Sequence, residues 1–111
     1  MNKKASLQRL TALSDLILDT QLAKLQAAAA ERYKSLQRLE DLAAAPSDEA
    51  NDLTHAATLM RYQRWADARR REINLVLARQ TAVWMEARQN AQTAFGRAEV
   101  LKKIQTTLMK S

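Results

Sequence analysis

Turn-forming residues and reactive side chains are scarce in this chain. Its 111 residues include no cysteine, one glycine, one proline and one histidine. The lack of cysteine excludes a disulfide framework and a thiolate site, and a single glycine excludes a glycine-rich phosphate loop. The single histidine, His55, is expected on the solvated surface. One histidine without any cysteine cannot form the usual metal-binding clusters or nucleophilic dyads. We therefore predict no catalytic residue, no metal site and no cofactor, and a protein that is not an enzyme.

Long hydrophobic runs are also missing. No segment approaches the ~18 consecutive apolar residues that a membrane-spanning helix needs. The basic start at Lys3 and Lys4 resembles a signal peptide, but Ser14 and Asp15 interrupt the apolar stretch that follows. We expect a cytoplasmic protein with no membrane insertion.

Helix-forming residues fill most of the chain, with alanine, leucine, glutamine and arginine dominant. The strongest interruption is Pro46, which disfavours helix at the residue before it, and Ser47 can cap a new helix. The sequence therefore predicts one all-α domain, a two-helix antiparallel coiled-coil hairpin with a longer second helix. We expect helix 1 at about 4–44, the turn at 45–48 and helix 2 at about 48–109.

Apolar residues recur in alternating steps of four and three, the heptad pattern of a coiled-coil seam, meaning the row of residues that faces the partner helix. The predicted seam of helix 1 is Leu18, Leu22, Leu25, Ala29, Arg32, Leu36, Leu39 and Ala43, and a change of register near residues 13–18 shifts its N-terminal continuation onto Leu7, Leu10 and Ile17. The predicted seam of helix 2 is Leu59, Tyr62, Ala66, Arg69, Ile73, Val76, Gln80, Val83, Ala87, Asn90, Ala94, Arg97, Leu101, Ile104 and Leu108, flanked by a second ridge at Leu77, Trp84, Ala91, Phe95 and Ala98.

A tight turn at Pro46 fixes the pairing, because facing residues then have numbers that add to about 93. This register predicts that Leu10 meets Val83, that Ile17 meets Val76, and that Trp65 lies over Ala28. It also leaves residues 90–111 extending past the end of helix 1, with apolar side chains that helix 1 does not cover. Either this segment bends back at Gly96, or it is buried in an oligomer or a partner.

The net charge of +6 comes from the second half, where residues 51–111 hold eleven basic and five acidic side chains. The arginines at 61, 70, 79, 88 and 97 are nine residues apart, so successive members lie on opposite faces of a helix. A nucleic-acid footprint prefers one face, so this distribution argues against nucleic acid as a partner. Tyr33, Met60, Tyr62 and Trp65 are expected to cluster, either as core or as a docking patch for a partner.

The second helix carries the segments Tyr62-Gln63-Arg64-Trp65, Glu72-Ile73-Asn74 and Ala94-Phe95-Gly96-Arg97-Ala98. With these segments and its unequal hairpin, the chain resembles the FliJ-type stalk proteins of flagellar and type III secretion export apparatus. The resemblance implies an antiparallel coiled coil similar to the central stalk of rotary ATPases. The end that carries both termini, here residues 1–18 and 90–111, would enter a hexameric export ATPase ring, and the body would touch the export gate and substrate chaperones.

This resemblance places the protein in the cytoplasm, peripheral to a membrane export apparatus, as a non-enzymatic stalk or adaptor. Two alternatives stay open: a basic nucleic-acid-binding helical protein, and a purely structural coiled coil that forms homo-oligomers through residues 90–111. The candidate partner-binding residues are Tyr33, Tyr62, Trp65, Phe95, Arg97, Leu101, Lys102, Lys103, Ile104 and Leu108.

Overall fold

The computed structural model describes residues 2–43 and 53–110. They form two helices, α1 (Lys3–Ala43) and α2 (Leu53–Lys110), with no strand in either described range. The helices pack antiparallel against each other, which confirms the predicted all-α two-helix hairpin with a longer second helix. The predicted turn at 45–48 and the predicted start of helix 2 lie outside the described residues.

Asn2 begins α1 as its N-cap. Its side-chain oxygen accepts a hydrogen bond from the Lys4 amide at 3.0 Å, and its carbonyl accepts one from the Ser6 amide at 3.2 Å. These bonds satisfy amides that the first helical turn leaves without partners. At the other end of the chain, α2 remains helical through Gly96, so the glycine does not interrupt the helix.

Contacts divide the chain into two compact units. The terminal unit comprises Met1–Ala29 and Val83–Ser111, and the central unit comprises Ala30–Ala82. Each unit contains one segment of α1 and one of α2, so each has its own helix–helix interface.

Hydrogen bonds between the helices fix the register of the central unit. Arg70 Nη2 donates to the Leu42 carbonyl at 3.2 Å, Arg32 Nε to Thr81 Oγ1 at 3.1 Å, and Ser35 Oγ to Gln80 Oε1 at 2.5 Å. The paired residue numbers therefore add to between 112 and 115, not to the predicted 93. The predicted placement of Trp65 over Ala28 is wrong for this reason.

The terminal unit has a similar register. Lys4, Leu7 and Gln8 line one small cavity together with Gln105, Leu108 and Met109, so the first turns of α1 lie beside the last turns of α2. The prediction that residues 90–111 extend past helix 1 is therefore wrong. Leu10 and Ile17, predicted to meet Val83 and Val76, instead share a groove with the segment from Thr93 to Leu101.

The extra length of α2 lies at the opposite end from the one predicted. The last described turn of α1 reaches the level of Arg70, because the Leu42 carbonyl accepts a hydrogen bond from Arg70. Residues 53–69 therefore lie beyond that level, a length of about 25 Å at 1.5 Å per residue. The shift follows from the register. When the numbers of facing residues add to about 113 instead of 93, the midpoint of the hairpin moves from the predicted turn into α2.

The buried face of α1 keeps a strict heptad frame that differs from the predicted seam at every second position. The positions of this frame, all buried or half-buried, are Leu7, Thr11, Ser14, Leu18, Gln21, Leu25 and Ala28 in the terminal part and Arg32, Ser35, Leu39 and Leu42 in the central part. The predicted seam residues Leu22, Ala29, Leu36 and Ala43 are exposed, and there is no change of register near 13–18. At two of these positions the prediction chose a leucine, Leu22 or Leu36, where the residue before it, Gln21 or Ser35, faces the partner helix.

In α2 the ridge that was predicted to flank the seam belongs to it, except at Phe95, which is exposed. Leu77, Trp84, Ala91 and Ala98 are buried or half-buried. The residue before each of them was predicted to lie in the seam but is exposed: Val76, Val83, Asn90 and Arg97. Two further predicted seam residues, Arg69 and Ile104, are also exposed. The rest of the predicted frame is buried or half-buried at Leu59, Tyr62, Ala66, Ile73, Gln80, Ala87, Ala94 and Leu101, while Leu108 at its end is exposed.

Small residues dominate the buried face of the terminal unit. Ala87, Ala91, Ala94 and Ala98 form one row along α2, and Ser14 and Ala28 are buried on α1. Small side chains let helix axes approach towards the lower end of the usual range of about 8–10 Å. The central unit packs larger groups, with Leu42, Ala66 and Ile73 as its core and Leu39 and Tyr62 against them.

Candidate docking surfaces

Large apolar side chains lie mostly outside the helix–helix interface. Among the described residues, Leu7, Leu42 and Ile73 are the large aliphatic side chains that are buried, and the other buried apolar residues are alanines. Exposed apolar side chains include Leu10, Leu13, Leu16, Ile17, Leu75, Val83, Met85 and Val100. Where such exposed side chains adjoin one another, the apolar patch marks an interaction site.

One such surface is an open groove of about 660 Å³ in the terminal unit, here called the terminal groove. Its α1 side is formed by Leu10, Leu13 and Ile17, which follow the spacing i, i+3 and i+7 along one face of the helix. The full lining is Leu10, Leu13, Ser14, Ile17, Thr93, Ala94, Gly96, Arg97, Val100 and Leu101.

Two features of α2 shape the groove. Gly96 contributes no side chain, and a Cβ placed there meets no atom within 4 Å. Val100, 55% exposed, stands on the same wall. The α2 wall is therefore low at Gly96, which leaves the three apolar side chains of α1 accessible.

Arg97 is the one charged side chain that lines the terminal groove. None of the ion pairs between described residues involves it. The nearest ion pair along the helix is Lys102 with Glu99, at 3.9 Å between Nζ and Oε1. The groove thus combines an apolar floor with a single cation and no carboxylate.

The other candidate residues near the end of α2 do not form one surface. Leu101 lines the terminal groove, whereas Leu108 lines the small cavity beside Lys4 and Leu7. Phe95 is 56% exposed and lines neither of them. Exposed positions also include Ile104, Lys102 and Lys103.

The aromatic candidates separate into a pair and an isolated residue. Tyr62 and Trp65 have ring centroids 5.9 Å apart at an interplanar angle of 41°. Tyr62 packs on the central core, while Trp65 is 57% exposed. Tyr33 is exposed and its hydroxyl accepts a hydrogen bond from Gln37 Nε2 at 2.8 Å.

The predicted cluster of Tyr33 with this pair is wrong. Ser35 bonds to Gln80, so Tyr33 lies near that level of α2. Fifteen residues separate Trp65 from Gln80, about 22 Å along a helix. The predicted cluster depended on the same register error as the predicted overhang.

Sequence reasoning missed the terminal groove because it assigned Leu10 and Ile17 to the seam. A signal was present, since Leu10, Leu13 and Ile17 share one face that excludes the seam residues Leu7, Thr11 and Ser14. Two apolar faces on one helix indicate contacts on two sides.

No group of three or more histidine, aspartate and glutamate side chains in the described ranges is arranged to hold a metal ion. Neither described helix contains a stretch that is apolar and long enough to cross a bilayer. His55, expected to be fully solvated, is half-buried in α2.

Models of known protein families, characterised proteins and solved structures were each compared with the chain, and none of the three comparisons gives a match.

Proposed function

We propose that this protein is a non-enzymatic helical adaptor that holds other proteins through apolar surfaces along a two-helix coiled coil. The observation that carries the proposal is the distribution of apolar side chains. The most deeply buried residues are mainly alanine and serine, while many leucine, isoleucine, valine and methionine side chains remain exposed. An isolated hairpin gains little from exposed groups, whereas a partner would bury them.

The narrower proposal is a stalk-type subunit of a flagellar or type III protein export ATPase complex, as the resemblance to FliJ-type proteins implies. Support comes from the terminal unit, in which both chain ends belong to one packed helix pair. In a stalk of this kind, that end would enter the ATPase ring. The exposed Trp65, which pairs with the half-buried Tyr62, would then face the export gate or substrate chaperones, at the cytoplasmic side of the membrane apparatus.

An ATPase assay tests this role. The export ATPase of the same organism is purified, and its hydrolysis rate is measured with and without the full chain. We expect stimulation that is reduced at least severalfold by the variant carrying Ile104→Gln, Lys102→Glu and Lys103→Glu. These side chains are exposed, so the substitutions should leave the helix pair intact.

The matched control carries Leu75→Gln and Arg79→Glu, two exposed changes of the same kinds in the central unit. It should stimulate the ATPase like the native chain. Absence of stimulation by the native chain, or equal loss in both variants, would exclude the ATPase-ring role.

Self-association through exposed apolar surface is the second candidate, because the same side chains that favour a partner also favour a second copy. Sedimentation at tens of micromolar separates the two possibilities. A stable dimer that dissociates on Val100→Gln substitution would favour the structural coiled coil over the adaptor.

A further inference from the structure

We propose that the terminal groove binds an amphipathic helix of another protein, one that presents apolar side chains at i, i+4 and i+7 and a carboxylate that pairs with Arg97. The inference rests on the proposed adaptor function, because it takes the occupant to be a protein segment. It adds the binding site and the chemistry of the bound segment.

The shape of the groove fits a helix. Leu10 and Ile17 are seven residues apart, which is about 10 Å along α1, and Thr93 to Leu101 covers about 12 Å along α2. A two-turn helix spans the same length and presents one apolar stripe to it. The groove lies between two antiparallel helices, so a third helix placed on it completes a three-helix arrangement with packing on both sides.

Large apolar side chains in the groove provide the apolar part of the contact. Leu10 and Leu13 are 53% and 54% exposed, so each has about half of its surface available to a partner. Gly96 leaves room for a leucine of the incoming helix, since nothing lies within 4 Å of its missing Cβ. Large side chains that insert beside a small residue are typical of close helix packing.

Charge selects the kind of helix. Arg97 lines the groove without a carboxylate from the groove itself or from any ion pair of the described residues. A partner with glutamate or aspartate at the edge of its apolar stripe gives this guanidinium a bidentate acceptor. A basic partner helix would instead place like charges together.

The same charge argues against a second copy of this chain as the occupant. A groove-to-groove dimer would bring two copies of Arg97 to one interface without an acidic side chain in either groove. The chain also carries a net charge of +6, which opposes self-association at low salt. An acidic helix from a different protein satisfies both the apolar and the charged parts of the site.

A pair of designed peptides tests the proposal. Both are fluorescent helices of about 14 residues with leucines at i, i+4 and i+7. One carries glutamates beside the leucines, and the other carries lysines at the same positions. Fluorescence anisotropy with the full chain should show the acidic peptide binding about fivefold more tightly, as a partly exposed ion pair predicts.

Three variants locate the site. Arg97→Glu should reverse the preference so that the basic peptide binds more tightly, and Leu13→Gln should weaken both peptides. Arg79→Glu makes the same charge change outside the groove and should leave the preference unchanged. Circular dichroism on each variant shows whether the helix pair is retained.

Equal affinity for the two peptides, no binding of either, or reversal by Arg79→Glu as well as by Arg97→Glu would overturn the proposal. So would sedimentation showing a dimer that Leu13→Gln dissociates, since the occupant would then be a second copy. If neither peptide binds but the native chain still stimulates the ATPase, only the proposal for the terminal groove is refuted. Peptide binding without stimulation would refute the export role and leave the groove in place.

Discussion

Ser35, whose side chain is fully buried, donates a hydrogen bond from Oγ to Gln80 Oε1 on the facing helix. Two polar side chains therefore occupy positions of a coiled-coil seam that usually hold leucine or valine. One polar pair in a seam specifies register, because a shift of either helix leaves both groups buried without a partner.

Ser35→Ala should reduce the free energy of unfolding by about 1–2 kcal/mol, because Gln80 keeps its carbonyl oxygen at the interface without a donor. The double variant Ser35→Ala with Gln80→Leu should recover most of that loss, since both polar groups are then removed. Urea unfolding followed by circular dichroism gives both values. A single variant as stable as the native chain would show that the pair contributes nothing to stability.

Gly96→Ala should stabilise the protein by about 0.5–1 kcal/mol, because alanine lowers the conformational entropy of the unfolded chain within a helix. The added methyl group meets no atom within 4 Å, so no strain opposes the gain. Thermal unfolding should show a rise in Tm. A fall in Tm would mean that the glycine is needed in the folded helix.

Ala98→Leu should destabilise the terminal unit by roughly 1–3 kcal/mol, because a larger side chain must force the two helices apart. Ala98 is 1% exposed within the row of buried alanines. Ala82→Leu makes the same change at an exposed position of α2 and serves as the control. Similar unfolding midpoints for both variants would show that the alanine row does not set a close contact.

Ile73→Ala should destabilise the chain by about 2–4 kcal/mol, through lost burial and the cavity that remains. Ile73 is buried in the core cluster with Leu42 and Ala66. Val76→Ala, three residues later and exposed, should change the unfolding free energy by no more than about 0.5 kcal/mol. Denaturant titration of the two variants compares them directly.

The fold class was predictable because local signals are strong and agree. Helix formers dominate and Pro46 is the strongest interruption between them, which is why two helices were expected. Heptad spacing correctly placed about half of the residues of each seam, such as Leu18 and Leu25 in α1 and Ala87 and Ala94 in α2. Such periodicity depends only on residues close in sequence.

The register and the groove were not predictable in the same way. Many alignments of two alanine- and leucine-rich helices place apolar residues opposite each other, so the pairing that adds to 93 gave matches as sensible as the observed one. The deciding contacts, such as Ser35 with Gln80, are between polar residues that an apolar criterion does not select. The candidate residues Leu101 and Arg97 do lie at the terminal groove, but Leu10, Leu13 and Val100 were not among the candidates.

The cavity shared by Lys4 and Met109 places the first turns of α1 next to the last turn of α2. A short flexible linker can therefore join these two positions, and the chain can be opened between the helices instead. The resulting circular permutant would present α2 first and α1 second, with every contact of the terminal unit retained. Fluorophores attached at the two original ends would report the opening of that helix pair as a loss of energy transfer.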